Sequence, residues 1–272
     1  MSVPAVKLAD GMRIPQIGLG LWQVKDDAAF QNAFTAAIET GYRHFDSAQA
    51  YDNEQLLGEA WKLSGLKRDE LFLTTKIKVQ HFAKRQVGST FAESLQKLRS
   101  DYADLLLLHF PVTLLRKNAW LELEKIKAAG GARSIGVSNY TIRHLEEMQQ
   151  YANEMPVINQ VELHVFLQQP ELVDYCQKNN IVVEAYSPLA RAHEMNEPVL
   201  QQIAGKYDKT YAQVMLRWLV QRGIVAIPKS VTPERIKQNI DVFDFELDAK
   251  DMAAIAKLDR DMRTCWSPVH VP

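Results

Sequence analysis

Eight apolar runs recur along this chain at intervals of about 25 to 40 residues, close to the length of one βα unit. This repeat constrains the fold more than any other feature. The first run is Ile17 to Trp22, and the others end near Asp46, Lys76, His109, Val137, Val161, Tyr186 and Ile227. Stretches with helical spacing separate them, over residues 27–40, 53–64, 84–100, 117–129, 141–151, 170–179 and 210–222. Runs such as Asp104 to Leu108 and Ile181 to Ala185 are mostly apolar on both faces, as a parallel sheet requires. Eight such units with no composition break predict one closed α/β structure, a (β/α)8 TIM barrel spanning residues 1–272 as a single domain. An open doubly wound sheet is the alternative. Val6 to Ile14 predicts an N-terminal β-hairpin, with Asp10-Gly11 supplying the positive φ angles of a tight two-residue turn. Residues 234–240 and 249–258 read as helices, the latter an extra C-terminal helix, and Thr264 to Pro272 carries no periodic element.

Active sites of such barrels lie at the carboxyl ends of the strands, so position becomes an argument. The stretch Gly41-Tyr42-Arg43-His44-Phe45-Asp46-Ser47-Ala48-Gln49-Ala50-Tyr51 delivers an acid at a strand end and a phenol five residues later. The next two strands end at Lys76 and His109. A buried Lys76 needs a partner, and Asp46 on the adjacent strand is the obvious one. A phenol with a reference pKa near 10 is a poor acid at neutral pH, and a nearby ammonium lowers that value. Tyr51 is thus a candidate general acid, Lys76 its tuner, Asp46 the anchor of Lys76, and His109 a group that orients a carbonyl oxygen or shares the proton. Each has a plainer explanation. A loop tyrosine usually packs, an aspartate after a strand often caps a helix, and a single histidine is commonly a satisfied core residue. Their placement on consecutive strand ends is what favours chemistry. Arg43 and His44 read as packing residues.

Composition narrows the class further. A net charge of -1 gives no general attraction to nucleic acid or an anionic membrane. Only Cys176 and Cys265 occur, too few for a disulfide framework, which suits a reducing cytoplasm. No signal peptide is expected from Met1 to Lys7, and no apolar stretch reaches the roughly 18 residues of a membrane span. The sequon Asn139-Tyr140-Thr141 would be idle in that compartment. The histidines, His44, His81, His109, His144, His164, His193 and His270, show no metal-ligand spacing on one strand or helix, so no metal site is expected.

The segment Gly-Tyr-Arg-His-Phe-Asp-Ser-Ala-x-x-Tyr resembles the first signature of the aldo-keto reductases. So do Leu73 to Lys76, Leu107 to Pro111, Ile135 to Asn139, Asn159 to His164, Ala185 to Leu189 and Ile227 to Val231, in the family's order and spacing from Gly18 to about Leu258. Within the family the chain looks most like the short bacterial 2,5-diketo-D-gluconate reductase type. The resemblance implies a catalytic tetrad of Asp46, Tyr51, Lys76 and His109, with Tyr51 as proton donor. It also implies NADPH/NADP as cofactor, bound without a Gly-x-Gly-x-x-Gly fingerprint, which is absent here. By residue matching, Ser138, Asn139 and Gln160 would hold the carboxamide and Tyr186 would stack on the nicotinamide. Ser187 and Leu189 would line the pyrophosphate path. Lys229, Ser230, Val231 and Arg235 would surround the 2′-phosphate, with Asn239 near the adenine. The substrate wall would include Trp22, Ala50, His109 and Phe110.

Departures from the family pattern are Phe110 and Lys78 where Trp is common, and Val165 where Pro is common. Short segments after His109 and Tyr186 and a short tail imply an open pocket for small carbonyl compounds, 2,5-diketo-D-gluconate and methylglyoxal among them. The implied activity is NADPH-dependent reduction of aldehydes and ketones by a cytoplasmic monomer. The alternatives are a non-catalytic NADPH-binding regulatory protein and, more remotely, a metal-dependent barrel hydrolase.

Overall fold

The computed structural model describes residues 3–83, 86–192 and 196–272. A short antiparallel pair, β1 (Ala5–Lys7) and β2 (Arg13–Pro15), precedes eight parallel strands. These are β3 (Leu19–Gly20), β4 (His44–Asp46), β5 (Phe72–Ile77), β6 (Ala103–Leu108), β7 (Ala132–Ser138), β8 (Ile158–Glu162), β9 (Val182–Tyr186) and β10 (Val225–Ala226). They pair in sequence order, β3 to β10. The ring is closed by a parallel bridge between Ile17 and Ala226, with Gly18 N donating to Ala226 O at 2.9 Å and Gly20 N to Pro228 O at 3.1 Å. At Gly20 a Cβ would lie 2.8 Å from Ile227 O, so the seam needs that glycine. The barrel is therefore the expected TIM fold, with helix Ala249–Ala256 as the extra C-terminal element.

The helices sit where local chemistry puts them. Helix Asp27–Thr40 starts under Asp26, whose Oδ1 accepts from Ala29 N at 2.8 Å, and stops at Gly41 with φ 102°. Phe34 of this helix stacks on Phe45 of β4 with centroids 4.5 Å apart, a contact of about 0.5–1.5 kcal/mol beyond its buried area. Tyr42 then donates from its hydroxyl to Ile236 O at 3.1 Å, tying the start of β4 to helix Pro233–Ile240.

Some expectations need correction. The hairpin turn is a three-residue loop, Ala9 to Gly11, closed by Leu8 N to Met12 O at 2.8 Å, and only Gly11 has positive φ. A type I turn followed by a left-handed glycine supplies this geometry. The expected helix 84–100 is observed as Val87–Lys97, preceded by a short helix Val79–Ala83; residues 84 and 85 lie outside the described residues. The segment after Tyr186 is not a short loop, because it carries helix Pro198–Tyr207, opened by a proline at its first position.

Along several strands, alternate residues pass from apolar to polar towards the carboxyl end: Phe72, Thr74, Lys76 in β5; Ile158, Gln160, Glu162 in β8; Val182, Glu184, Tyr186 in β9. The apolar end is a separate buried cluster of Phe72, Leu105, Leu107, Ile158 and Val225, plugged by Leu8 and Ile14 from the hairpin. A cavity of about 480 Å³ lies at this plugged end, lined by Leu8, Gln177, Asn180, Val182 and Ile224, away from the polar end. The helices bury their apolar faces in the larger cluster outside the ring.

Candidate active site

Asp46 closes β4 and Lys76 lies one residue before the end of β5, two strands brought together by the Asp46–Thr74 register. Lys76 is 0% exposed. Its Nζ donates to Asp46 Oδ1 at 2.5 Å, to Ser47 O at 3.0 Å and to Tyr51 Oη at 3.3 Å. Burial opposes its charge, but Asp46 and Tyr51 outweigh burial and raise its pKa above the ordinary lysine range. Tyr51 is presented by a one-turn helix, Gln49–Tyr51. Gln49 fixes that turn by donating to Thr90 O and Ser94 Oγ, both at 3.0 Å, while its Oε1 accepts from Lys78 N at 2.8 Å.

Lys76 does act to acidify Tyr51, as expected, but the net displacement of the phenol is upward: burial is the larger effect and Asp46 adds to it. His109 stands edge-on to Tyr51, with ring centroids 5.7 Å apart. Burial, and then Lys76, push its pKa down to about 3, so the ring is neutral at physiological pH. The structure therefore brings all four candidate catalytic residues together.

Beneath them lies a second polar layer that crosses the barrel. Gln160 Nε2 donates to Asp46 Oδ2 at 2.8 Å and to Glu184 Oε2 at 2.7 Å. Gln160 is the residue expected to hold a carboxamide; its amide nitrogen bridges two acids, which leaves its Oε1 as the acceptor on that side chain. Glu184 is fully buried, and its Oε1 lies 3.5 Å from His44 Nε2. His44 Nε2 is also 3.3 Å from Thr74 Oγ1. Burial drives the His44 pKa down to about 3. Burial first, and then Asp46, push Glu184 up to about 8.

The rim places the other candidates around this centre. Ser138 Oγ donates to Gln160 O at 2.9 Å. Asn139, with φ 66°, donates from Nδ2 to His109 O at 3.0 Å and accepts at Oδ1 from the Tyr186 hydroxyl at 2.7 Å. Ser187 has φ 48° and lies 3.6 Å from Cys265 Sγ, and Leu189 packs on the main core. Lys229, Val231 and Arg235 are exposed, and Ser230 is buried with its Oγ accepting from Thr232 N at 3.1 Å. Among the described residues neither cation makes an ion pair, and Asn239, 4% exposed as a residue, makes no side-chain hydrogen bond, its amide atoms keeping access to solvent. Trp22 is 39% exposed under Arg191, whose guanidinium carbon is 4.7 Å from the ring centroid. Ala50 is exposed and Phe110 half-buried.

A carboxylate overlooked in the sequence holds the tail over this end. Glu162 accepts from Thr264 N and Thr264 Oγ1 at 2.6 Å each and from Cys265 N at 3.1 Å. Arg191 also donates to Thr264 O at 3.1 Å. Further along, Val271 O accepts from Arg143 and lies 3.0 Å from His144 Nε2. Burial would raise the Glu162 pKa, but hydrogen bonds from His164 and Thr264 prevail and hold it below the ordinary carboxylate range. Among the described residues no cluster of His, Cys, Asp and Glu could hold a metal, and His193 lies outside them. No helix among them is long and apolar enough to cross a membrane.

Comparison with known proteins shows the family. The chain is 43% identical over 263 residues to glyoxal reductase of Bacillus subtilis (strain 168), covering 97% of this chain and 95% of that one. It is 42% identical over 269 residues to methylglyoxal reductase DkgA of Escherichia coli O157:H7, covering 97% and 96%. It superposes on the crystal structure of a Bombyx mori aldo-keto reductase in complex with NADP with a TM-score of 0.91, at 35% identity, covering 97% and 95%. Residues 16–260 match the model of the aldo/keto reductase family. With an acid, a phenol, an ammonium and an imidazole gathered at the carboxyl ends of its barrel strands, the chain belongs to the aldo/keto reductase family and is an oxidoreductase.

Proposed function

We propose that this chain reduces small aldehydes and ketones with NADPH, and that Tyr51 gives the proton to the carbonyl oxygen. The observation that carries the reading is the Lys76 ammonium, buried, held by Asp46 and 3.3 Å from the Tyr51 oxygen. When bound, NADPH supplies the hydride that adds to the carbonyl carbon. As the Tyr51 O–H breaks, negative charge grows on the phenol oxygen, and Lys76 stabilises it without moving. Asp46 keeps Lys76 charged in a site where burial alone would neutralise it. Neutral His109 holds the carbonyl oxygen against Tyr51 by donating a ring N–H.

The rim suits the cofactor. Lys229 and Arg235 lie beside the amino end of helix Pro233–Ile240, have no ion-pair partner among the described residues, and suit a 2′-phosphate. Ser230 and Val231 complete that loop, and Asn239 offers an amide that makes no hydrogen bond among the described residues. Ser138, Asn139 and the Oε1 of Gln160 present amide-binding groups, Tyr186 a flat ring, and Ser187 and Leu189 a path between the two ends. Trp22, Ala50, His109 and Phe110 form the substrate wall. The names of the relatives favour short 2-oxoaldehydes such as methylglyoxal, with 2,5-diketo-D-gluconate the next candidate. We take residues 1–272 as one domain, because one apolar cluster runs from Ile17 to Ile255, and the working form as a cytoplasmic monomer.

The test is Tyr51→Phe, assayed by NADPH oxidation with methylglyoxal and by quenching of protein fluorescence on NADPH binding. Cofactor binding is expected to stay and turnover to fall by about 10²–10⁴. Turnover above a tenth of wild type would refute Tyr51 as the proton donor.

A further inference from the structure

Glu184 is a buried acid that the reaction as derived does not use. It interrupts the apolar run Ile181-Val182-Val183-Glu184-Ala185, where a solvated carboxylate has no place. Its register partner on β8 is Gln160, and the Gln160 amide nitrogen contacts both Glu184 and Asp46, the anchor of Lys76. We propose that Glu184 is a positioning residue for the proton-donating site, and that loss of its proton, transmitted through Gln160 and Asp46, weakens Tyr51 as an acid.

The groups facing Glu184 fix the sign. β4 presents Asp46 and His44, β5 presents Lys76, the turn after β4 presents Tyr51, β8 presents Gln160 and β10 the apolar Val225. Lys76 is the one cation among them, since His44 stays neutral. One carboxylate, Asp46, balances Lys76. A second anion alongside is unfavourable, so Glu184 keeps its proton until pH nears 8. Oε1 is buried without a hydrogen-bond partner, 3.5 Å from His44 Nε2, and is the oxygen that carries the proton, while Oε2 accepts from Gln160. When the proton leaves to solvent, the electron pair remains as carboxylate. The two N–H groups of Gln160 still serve one acid each and hold them close, so two anions then share one ammonium. The added charge raises the Tyr51 pKa further, so the phenol yields its proton less readily. Reduction should therefore slow as Glu184 ionises.

The inference rests on Tyr51 as donor, and its test separates the two. Single-turnover NADPH oxidation with methylglyoxal is followed from pH 6 to 10, which isolates chemistry from product release. Wild type should lose about threefold to tenfold in rate across pH 8, and Glu184→Gln, which keeps the shape and cannot ionise, should lose that limb. An unchanged limb in Glu184→Gln would overturn the proposal. A second readout needs no turnover: the infrared band of a protonated carboxyl should disappear from wild type as pH passes through 8. A folded wild type without that band at pH 6 would overturn the proposal even if Glu184→Gln failed to fold. Failure of the donor reading alone would appear in Tyr51→Phe turnover and would leave the infrared change in place.

Discussion

Replacing Lys76 by methionine separates the two duties of the buried ion pair. The ammonium is 2.5 Å from Asp46 Oδ1, and both side chains are out of solvent. Methionine has similar length and fills the space, so packing is nearly conserved. What is lost is the counter-charge of Asp46, which keeps only its hydrogen bond from Gln160. Removing one partner of a buried pair costs about 3–5 kcal/mol, a large share of the roughly 5–15 kcal/mol by which a domain is stable. Adding Asp46→Asn to Lys76→Met removes the stranded carboxylate and should return about 2–3 kcal/mol. Turnover should not return, because nothing then stabilises charge on Tyr51; both variants should fall by about 10²–10⁴. Urea denaturation of wild type, both single variants and the double variant gives the stabilities, and NADPH oxidation gives the rates. A loss below about 1 kcal/mol in Lys76→Met, or a double variant less stable than Lys76→Met alone, would refute this account of the pair.

Arg235→Ala should weaken NADPH far more than NADH, and equal losses measured by fluorescence titration would remove its 2′-phosphate role. Glu162 has a folded pKa below its unfolded value, so its hold on Thr264 and Cys265 is complete at neutral pH and is lost as pH falls through the folded pKa; Glu162→Gln should expose the tail to trypsin at Arg260 and Arg263 at pH 7, and an unchanged cleavage rate would count against the clasp. Gly58→Ala should be strongly destabilising, because a Cβ there would lie 2.1 Å from Lys97 O, whereas Gly205→Ala, in helix Pro198–Tyr207 with nothing within 4 Å, should stabilise by about 0.5–1 kcal/mol. Urea midpoints of those two variants moving in the same direction would contradict the packing described.

The gathering of Asp46, Tyr51, Lys76 and His109 was legible because each sits at or near a strand end, where side-chain identity is free of core packing and repeats at the βα spacing; a catalytic role for them came from the family resemblance. The hairpin was legible from Gly11, although the turn class depended on which residues paired. Glu184 and His44 were not legible in the same way. A single acid within an apolar strand signals an interior polar group, but its partner lies across the barrel, and periodicity carries no information about contacts over that distance. Glu162 was hidden likewise, since its partners Thr264 and Cys265 belong to a tail without regular structure. Helix Pro198–Tyr207 escaped because its apolar face is narrow, with Leu200, Ile203 and Ala204 its buried residues.

The seam between Ile17 and Ala226 has a consequence in time. Every other pairing in the barrel joins strands that follow one another along the chain, so each closes a modest loop. The seam alone joins the two ends of the sheet, and its chain-entropy cost falls due before its own contacts offset it. Gln160 meets Asp46, and Glu184 meets His44, only across the finished ring. The acids should therefore remain hydrated until late in folding, and the Ala226 amide, bonded to Gln16 O at 3.0 Å, should be among the last to resist pulsed hydrogen exchange. Protection of that amide ahead of β5 and β6 would show that the ring closes first and fills afterwards.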